Sequence, residues 1–178
     1  DERQEWTFVD EVARRTLILE ESDICYYYLV RTSEGYNAST ANSRIENFKK
    51  KPERFRDNAS VWRYKLDEIE RFAADVCDLL ARPDFENMLS HLRRPVIAPI
   101  PPSKVSHEFY DARMEDLCKK IAESNGSIEF ENPFSMRDNV TPMHEGGTRD
   151  VEYLKRKLMF SGFSTPPDLV ILIDDVLL

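Results

Sequence analysis

Two adjacent carboxylates, Asp174 and Asp175, directly follow the apolar run Leu169 to Ile173. A short apolar run with β-branched members, bounded upstream by prolines and a glycine, predicts a strand that is buried on both faces of a parallel sheet. Ligands of such sheets bind beyond the carboxyl ends of the strands. The two acids could therefore cap a following helix or be solvated, or they could bind a polyol, a metal or a cationic group.

The segment Ile171–Leu178 resembles the phosphoribosyl diphosphate (PRPP) signature of type I phosphoribosyltransferases. In that family four apolar residues, two acids and two more apolar residues precede a loop rich in Thr and Gly. The resemblance implies that Asp174 and Asp175 lie at a solvent-facing strand tip and accept hydrogen bonds from the ribose 2′- and 3′-hydroxyls. Their negative charge would also stabilise a developing oxocarbenium ion.

A proline-rich turn follows another short apolar run, in the sequence Ile97-Ala-Pro-Ile-Pro-Pro-Ser-Lys104. It is similar to the turn that binds the pyrophosphate of PRPP in this family, in particular in its competence-protein-F-like branch. Such turns bind through backbone amides, and proline has no amide hydrogen. The resemblance therefore implies that the N–H groups of Ser103, Lys104 and Val105, together with the lysine charge, bind PRPP. A strand exit stiffened by prolines is the alternative interpretation.

A polar segment, residues 137–149, combines glycines with His144, Arg137 and Arg149 between a predicted strand and a predicted helix. The segment resembles the flexible loop that closes over PRPP in the same family and excludes water from a cation-like transition state. The resemblance implies catalytic roles for Arg137 and His144 and PRPP binding by Arg149. The competence-protein-F-like branch commonly has Gln where His144 stands. Because Gly-Gly loops are common, this segment indicates a PRPP site only together with the other two.

Periodic apolar residues and turn signals predict the elements that position these segments. Helices are predicted for residues 1–21, 42–51, 61–81, 107–124 and 149–160, and strands for residues 24–30, 95–100, 128–130 and 169–173. Ser60 is the predicted N-cap of the third helix. The alternation of strands and helices after Arg94 predicts an α/β fold. The resemblance makes this a type I phosphoribosyltransferase-like parallel sheet flanked by helices.

The chain is expected to divide near residue 92. Residues 1–92 are predicted to be mostly helical and to form a hood over the acceptor or a partner-binding surface, and residues 93–178 to form the α/β core. In the family a Thr/Gly-rich loop, a helix and further strands follow the acid-bearing strand, which lies inside the sheet. Because the sequence stops at Leu178, we expect the core to be incomplete at its C-terminus, with its last strands supplied by a longer chain or by another chain.

The composition of the 178 residues reduces the number of functional classes to which the protein could belong. Hydrophobic residues make up 41% and charged residues 33%, which is typical of a globular protein, and the net charge of −8 argues against a broad nucleic-acid-binding surface. The three cysteines, Cys25, Cys77 and Cys118, have no metal-ligand spacing and predict reduced thiols in a cytoplasmic protein. No apolar run approaches the roughly 18 residues that a membrane span needs.

The resemblance implies a phosphoribosyltransferase that binds PRPP with Mg²⁺ and transfers the phosphoribosyl group to a nitrogen base or nucleotide, or hydrolyses it, with release of pyrophosphate. Magnesium would be bound through PRPP, without protein metal ligands. The protein is expected to act as a homo-oligomer or as a subunit of a larger complex. The alternative is a non-catalytic effector subunit of the same fold that senses a nucleotide within a bacterial antiviral defence complex of the retron type.

Two further classes have less support. A phosphoacceptor receiver domain carries its acidic pair after its first strand, whereas Asp174 and Asp175 follow the last predicted strand. An α/β hydrolase would need a Gly-x-Ser-x-Gly nucleophile turn, and the sequence contains none.

Overall fold

The structure, a computed structural model, describes residues 5–9, 23–30, 33–141, 146–147 and 150–175. The chain divides into two compact units, one formed by residues up to Asn47 and the other by Phe48–Asp175. In chain order the elements are β1 (Thr7–Phe8), β2 (Tyr26–Tyr27), α1 (Thr40–Phe48), α2 (Pro52–Phe55), α3 (Ala59–Leu80), α4 (Pro83–Ser90), β3 (Pro95–Pro99), α5 (Arg113–Ser124), β4 (Glu129–Phe130), β5 (Phe134–Met136), α6 (Val151–Lys157), β6 (Leu158–Phe160) and β7 (Leu169–Ile173).

The first unit contains a small antiparallel sheet. Strands β1 and β2 pair, and the rings of Trp6 and Tyr28 stack beside them with centroids 4.8 Å apart. The sequence predicted one helix over residues 1–21, and this prediction is wrong at β1. Aromatic and β-branched residues favour a strand when an aromatic partner strand is available. Residues 1–4 and 10–21 of the predicted helix lie outside the described residues, and the predicted strand at 24–30 is confirmed as the shorter β2.

The second unit contains a parallel sheet of three strands in the order β4–β3–β7. The central strand β3 is buried along its whole length, and it pairs with β7 so that Val96 lies opposite Val170 and Pro99 opposite Ile173. Helix α5 packs against β3 and β4. The structure therefore confirms an α/β fold with a parallel sheet flanked by helices.

Strand β7 is less buried than the sequence predicted. Its residues are half-buried, and Leu172 exposes 52% of its surface. Among the described residues β7 pairs only with β3, so its other edge has no neighbouring strand. Strand β3, in contrast, is paired along both edges. The prediction that β7 is buried on both faces is therefore wrong for the described part of the chain, although the strand itself is confirmed.

The amino end of β7 is attached to the chain that enters β3. The Asp168 carboxylate accepts hydrogen bonds from the backbone N–H groups of Arg93 and Arg94, at 2.7 and 3.0 Å, and the Asp168 N–H donates to the Arg94 carbonyl at 3.1 Å. The Arg94 guanidinium pairs in turn with Glu129, at 2.9 Å, and with Glu131. These contacts fix the starting point of β7 beside β3.

Helix α3 packs against α5 and thereby joins residues 59–80 to the sheet. Three of its buried apolar residues, Ile69, Ala73 and Val76, recur at the three- and four-residue spacing that the sequence showed. Each large buried side chain contributes about 1.5–3 kcal/mol relative to an exposed one. The N-cap is Asn58, whose side chain accepts from the Val61 N–H at 3.3 Å, so the prediction of Ser60 as the cap is wrong.

An antiparallel pair of strands is formed by residues for which the sequence predicted no strand. Strand β5 pairs antiparallel with β6, and the rings of Phe134 and Phe160 stack with centroids 5.3 Å apart. The sequence predicted no strand at β5. The predicted helix over 149–160 ends at Lys157, because Leu158–Phe160 pair with β5 instead of continuing the helix.

Helix α4 was not predicted, although its sequence carries a signal for it. Pro83 occupies its first turn, and Asp84 and Glu86 complement the positive end of the helix dipole. The helix predicted for residues 107–124 begins later, at Arg113. None of the described helices is long and apolar enough to cross a membrane.

Candidate functional site

The carboxyl ends of β3 and β7 lie side by side, and we call this region the carboxyl edge. The Ile100 N–H donates to the Ile173 carbonyl at 2.9 Å, immediately after the last paired residues of the two strands. The proline-rich turn and the acidic pair therefore leave the sheet at the same level. Two of the three segments that the sequence singled out are thus brought together.

The third segment begins against the same turn. The Val140 N–H donates to the Ser103 carbonyl at 2.7 Å, and the Asn139 side-chain oxygen accepts from the Val105 N–H at 2.7 Å. Arg137 is exposed at the base of the β5–β6 pair, where its N–H donates to the Lys157 carbonyl at 2.8 Å. His144 and Arg149 lie outside the described residues.

The turn offers fewer amide donors than the resemblance implied. Its prolines have none, and the Val105 N–H is used by Asn139. Within the described parts of the chain, the N–H groups of Ser103 and Lys104 have no hydrogen-bond partner, and the half-buried Lys104 side chain has no ion pair. Two amides and one ammonium group are therefore the donors that this turn can present to an anion.

Asp175 is an ion-paired acid with a side chain only 13% exposed. Nε and Nη2 of Arg113 both donate to its Oδ2 atom, the former at 3.1 Å, and Nζ of Lys49 lies 3.6 Å from the same oxygen. Burial alone would raise the pKa of Asp175, but the charges of Arg113 and Lys49 hold it below its usual value. Asp175 is therefore ionised and its charge compensated, and the expectation that both acids face solvent is wrong for this residue.

Asp174 differs from its neighbour in its exposure and in its partners. The residue is exposed, and its Oδ1 atom accepts a hydrogen bond from the Asp175 N–H at 2.7 Å. The pKa of Asp174 is raised, first by reduced hydration of the carboxylate and then by the negative charge of Asp175. Among the described residues, Asp174 has no cationic partner within ion-pair distance.

The ion pair of Asp175 continues into the interior of the second unit. Nη1 of Arg113 donates to Asp111, and Nζ of Lys65 donates to the same Asp111 carboxylate at 2.6 Å and to the Lys50 carbonyl at 2.7 Å. The Lys65 side chain is only 1% exposed. Burial lowers the pKa of Lys65 to about 8, although the charge of Asp111 acts in the opposite direction. A chain of alternating charges thus connects helix α3 to the acidic pair.

Sequence reasoning missed this network. Lys65 carried a usable signal, because it lies four residues before Ile69 and shares the apolar face of α3. Arg113 and Asp111 carried none, since 62 residues separate Arg113 from its partner Asp175 and only the fold brings them together.

A pocket of about 180 Å³ lies on the side of the turn that faces β5. Its walls are mostly apolar, with two acids among them, and are formed in part by Pro99, Pro101, Val105, Met114, Phe134, Asp111 and Glu115. The Tyr110 hydroxyl donates to Glu115 at 3.1 Å, and burial, followed by the charge of Glu115, raises the pKa of Tyr110 to about 12. The pocket therefore holds a neutral phenol beside a carboxylate.

In the parts of the chain that the structure describes, no three His, Cys, Asp or Glu side chains come together as a metal site would require. Comparisons with protein-family models, with curated protein sequences and with solved structures find no match to this chain.

Proposed function

We propose that the carboxyl edge binds PRPP and that the protein is a type I phosphoribosyltransferase-like protein. The observation that supports this proposal is the convergence of three segments. The Ile100–Ile173 hydrogen bond joins the proline-rich turn to the acid-bearing strand, and the Val140–Ser103 hydrogen bond joins the turn to the segment that begins at Arg137. Each segment resembles one part of a PRPP site, and a single site requires the three segments to lie close together.

The strand order supports a ligand at this place. After β3 the chain runs to β4 on one side of it and later to β7 on the other side. Such a reversal opens a crevice beyond the carboxyl ends of the strands, which is where open α/β sheets bind their ligands. The topology therefore supports the same location for a ligand as the motif resemblance does.

In the proposed complex Asp174 accepts hydrogen bonds from the ribose hydroxyls, and the Ser103 and Lys104 N–H groups with the Lys104 ammonium bind the diphosphate. Binding by Val105 would require its hydrogen bond to Asn139 to break. Arg137 would approach from the β5–β6 pair, and the roles of His144 and Arg149 stay predictions. These groups would bind a molecule that combines a diol with an anionic diphosphate.

In the proposed reaction a nitrogen nucleophile forms a bond to C1′ of PRPP while the bond from C1′ to the pyrophosphate oxygen breaks. The pyrophosphate leaves with the electron pair, and the nucleophile loses its proton. The negative charge of Asp174 would stabilise the positive charge that develops on the ribose ring. Water in place of the nitrogen nucleophile would give hydrolysis.

Magnesium is proposed to be bound through the diphosphate oxygens of PRPP. The acidic pair agrees with this, because Asp175 is already paired with Arg113 and Lys49 and Asp174 is assigned to the ribose hydroxyls. Magnesium commonly takes substrate phosphate oxygens and waters as ligands. We assign it no protein ligand.

Calorimetric titration with PRPP, with and without Mg²⁺, tests the proposal. We expect magnesium-dependent binding, and we expect Lys104→Ala to weaken PRPP by about tenfold or more, since a charged hydrogen bond contributes about 1.5–3 kcal/mol. Ribose 5-phosphate, which lacks the diphosphate, should lose much less affinity. The matched control is Lys51→Ala, which removes an exposed lysine outside the site. Equal losses for both ligands would contradict the role of the turn, and absent PRPP binding would contradict the proposed function.

A non-catalytic nucleotide-sensing subunit is the second candidate. It is favoured by the ion pairing of Asp175 and by the small number of amide donors in the turn, because both reduce the groups that could stabilise a transition state. A screen of nitrogen bases for pyrophosphate release separates the two candidates. Binding of PRPP without release in the presence of any base would favour the sensing subunit.

A further inference from the structure

We infer that Arg113 is a positioning residue that gives the two acids of the strand tip different roles: it holds Asp175 as a structural anion and leaves Asp174 as the acid that contacts the ligand. The second half of this inference rests on the proposed function, whereas the first half concerns the ligand-free protein alone. The resemblance had assigned both acids the same role.

The contacts on Asp175 are concentrated on one oxygen. Nε and Nη2 of Arg113 both donate to Oδ2, and Lys49 Nζ lies 3.6 Å from that atom. A ligand hydroxyl that approached Oδ2 would have to displace a charge-assisted hydrogen bond, which is stronger than the bond a neutral hydroxyl offers. Asp175 Oδ2 is therefore a poor acceptor for a sugar hydroxyl.

Arg113 is itself held in place from other directions. Its Nη1 atom donates to Asp111, its backbone N–H donates to the other oxygen of Asp111 at 3.2 Å, and its guanidinium carbon lies 5.7 Å from the centre of the Phe48 ring. Asp111 is fixed in turn by Lys65 at 2.6 Å. A guanidinium held at both ends cannot turn toward a ligand without breaking this network, so its role is to position Asp175.

Asp174 has the opposite surroundings. Its Oδ1 atom accepts from the Asp175 N–H at 2.7 Å, while Oδ2 has no hydrogen bond to any described residue. Asp174 is exposed, whereas Asp175 is held against Arg113 with a side chain that is only 13% exposed. Oδ1 of Asp175 has no hydrogen bond to a described residue either, but because so little of that side chain is exposed, Asp174 is the acid that a diol can reach.

The first experiment uses the ligand-free chain and measures the titration of the two carboxyl groups by ¹³C NMR. We expect Arg113→Gln to raise the titration midpoint of Asp175 by about one unit or more, because an adjacent cation lowers a carboxyl pKa by roughly 1–3 units. Arg113→Lys should raise the Asp175 midpoint less than Arg113→Gln does. Arg63→Gln, which removes an exposed arginine on α3, should leave the Asp175 midpoint unchanged. An unchanged Asp175 midpoint in Arg113→Gln would overturn the positioning role.

The second experiment compares PRPP affinities of single variants. We expect Asp174→Asn to lose at least tenfold more affinity than Asp175→Asn, and Arg113→Lys to bind more tightly than Arg113→Gln. Equal losses in the two asparagine variants, or a larger loss in Asp175→Asn, would overturn the assignment of Asp174. If the unaltered protein does not bind PRPP, the proposed function and the contact role of Asp174 both fail, while the NMR titration still decides the role of Arg113.

Discussion

Replacing Lys65 by methionine should change how the stability of the protein depends on pH. In the folded protein the pKa of Lys65 is lowered to about 8 by burial, whereas an unfolded lysine keeps its ordinary value of 10.5. Between these two values the unfolded chain binds more protons than the folded chain. The free energy of unfolding of the unaltered protein therefore rises with pH in this window.

The expected rise follows from the size of the pKa difference. Each pKa unit corresponds to about 1.4 kcal/mol, so the shift predicts a rise of about 3 kcal/mol between pH 8 and pH 10.5. Lys65→Met lacks the titrating group and should lack this rise. The variant is expected to fold, because methionine fits an apolar helix face and Asp111 keeps its partner Arg113.

Urea unfolding at a series of pH values, followed by tryptophan fluorescence, measures the difference. Trp62 is a suitable reporter, since Nζ of Lys65 lies 5.0 Å from its ring centre, and Trp6→Phe would remove the other tryptophan signal. The exposed Lys155→Met is the matched control and should follow the unaltered protein. Parallel stability curves for Lys65→Met and the unaltered protein from pH 7 to pH 10.5 would refute the reasoning.

Two further predictions concern stability in urea at neutral pH. Asp175→Asn should lower the free energy of unfolding by about 1–3 kcal/mol, because it leaves a largely buried Arg113 with one partner fewer. Asp174→Asn should change the free energy of unfolding by less than about 1 kcal/mol. Equal effects of the two substitutions would contradict the difference in burial between the acids. Asn58→Ala should cost about 1 kcal/mol through loss of the cap of α3, and Asn58→Asp, which keeps an acceptor oxygen, should retain most of that stability.

The sequence predicted those parts of the fold that depend on residues close together in the chain. The apolar runs at 95–99 and 169–173 and the periodic face of α3 each lie within one element, and all three were predicted with nearly correct bounds. The proline-rich turn around Pro101 and the acids after Ile173 could likewise be recognised from neighbouring residues in the sequence. Their meeting at one edge followed from the rule that parallel strands end on the same side of a sheet.

The remaining features depend on residues that are far apart in the chain. Phe134 meets Phe160 only after the intervening segment folds back, so the strand character of Leu158–Phe160 was hidden by a helical pattern. Arg113 lies 62 residues from Asp175 in the chain, so no local pattern could show that one of the two acids forms an ion pair. Sequence reasoning therefore found the acidic pair but could not tell its two members apart.

The attachment of Asp168 at the amino end of β7 has a consequence at the other end of the strand. Sliding β7 past β3 by one residue would turn every side chain of the strand to the opposite face of the sheet. A slip toward the carboxyl end would move Asp174 to the position from which Asp175 now contacts Arg113. The Asp168 carboxylate accepts hydrogen bonds from the backbone N–H groups of Arg93 and Arg94, and these bonds oppose the slip at the amino end of β7. The identity of the outward-facing acid is thus decided jointly by a contact with Arg113 and by the register set at the far end of the same strand.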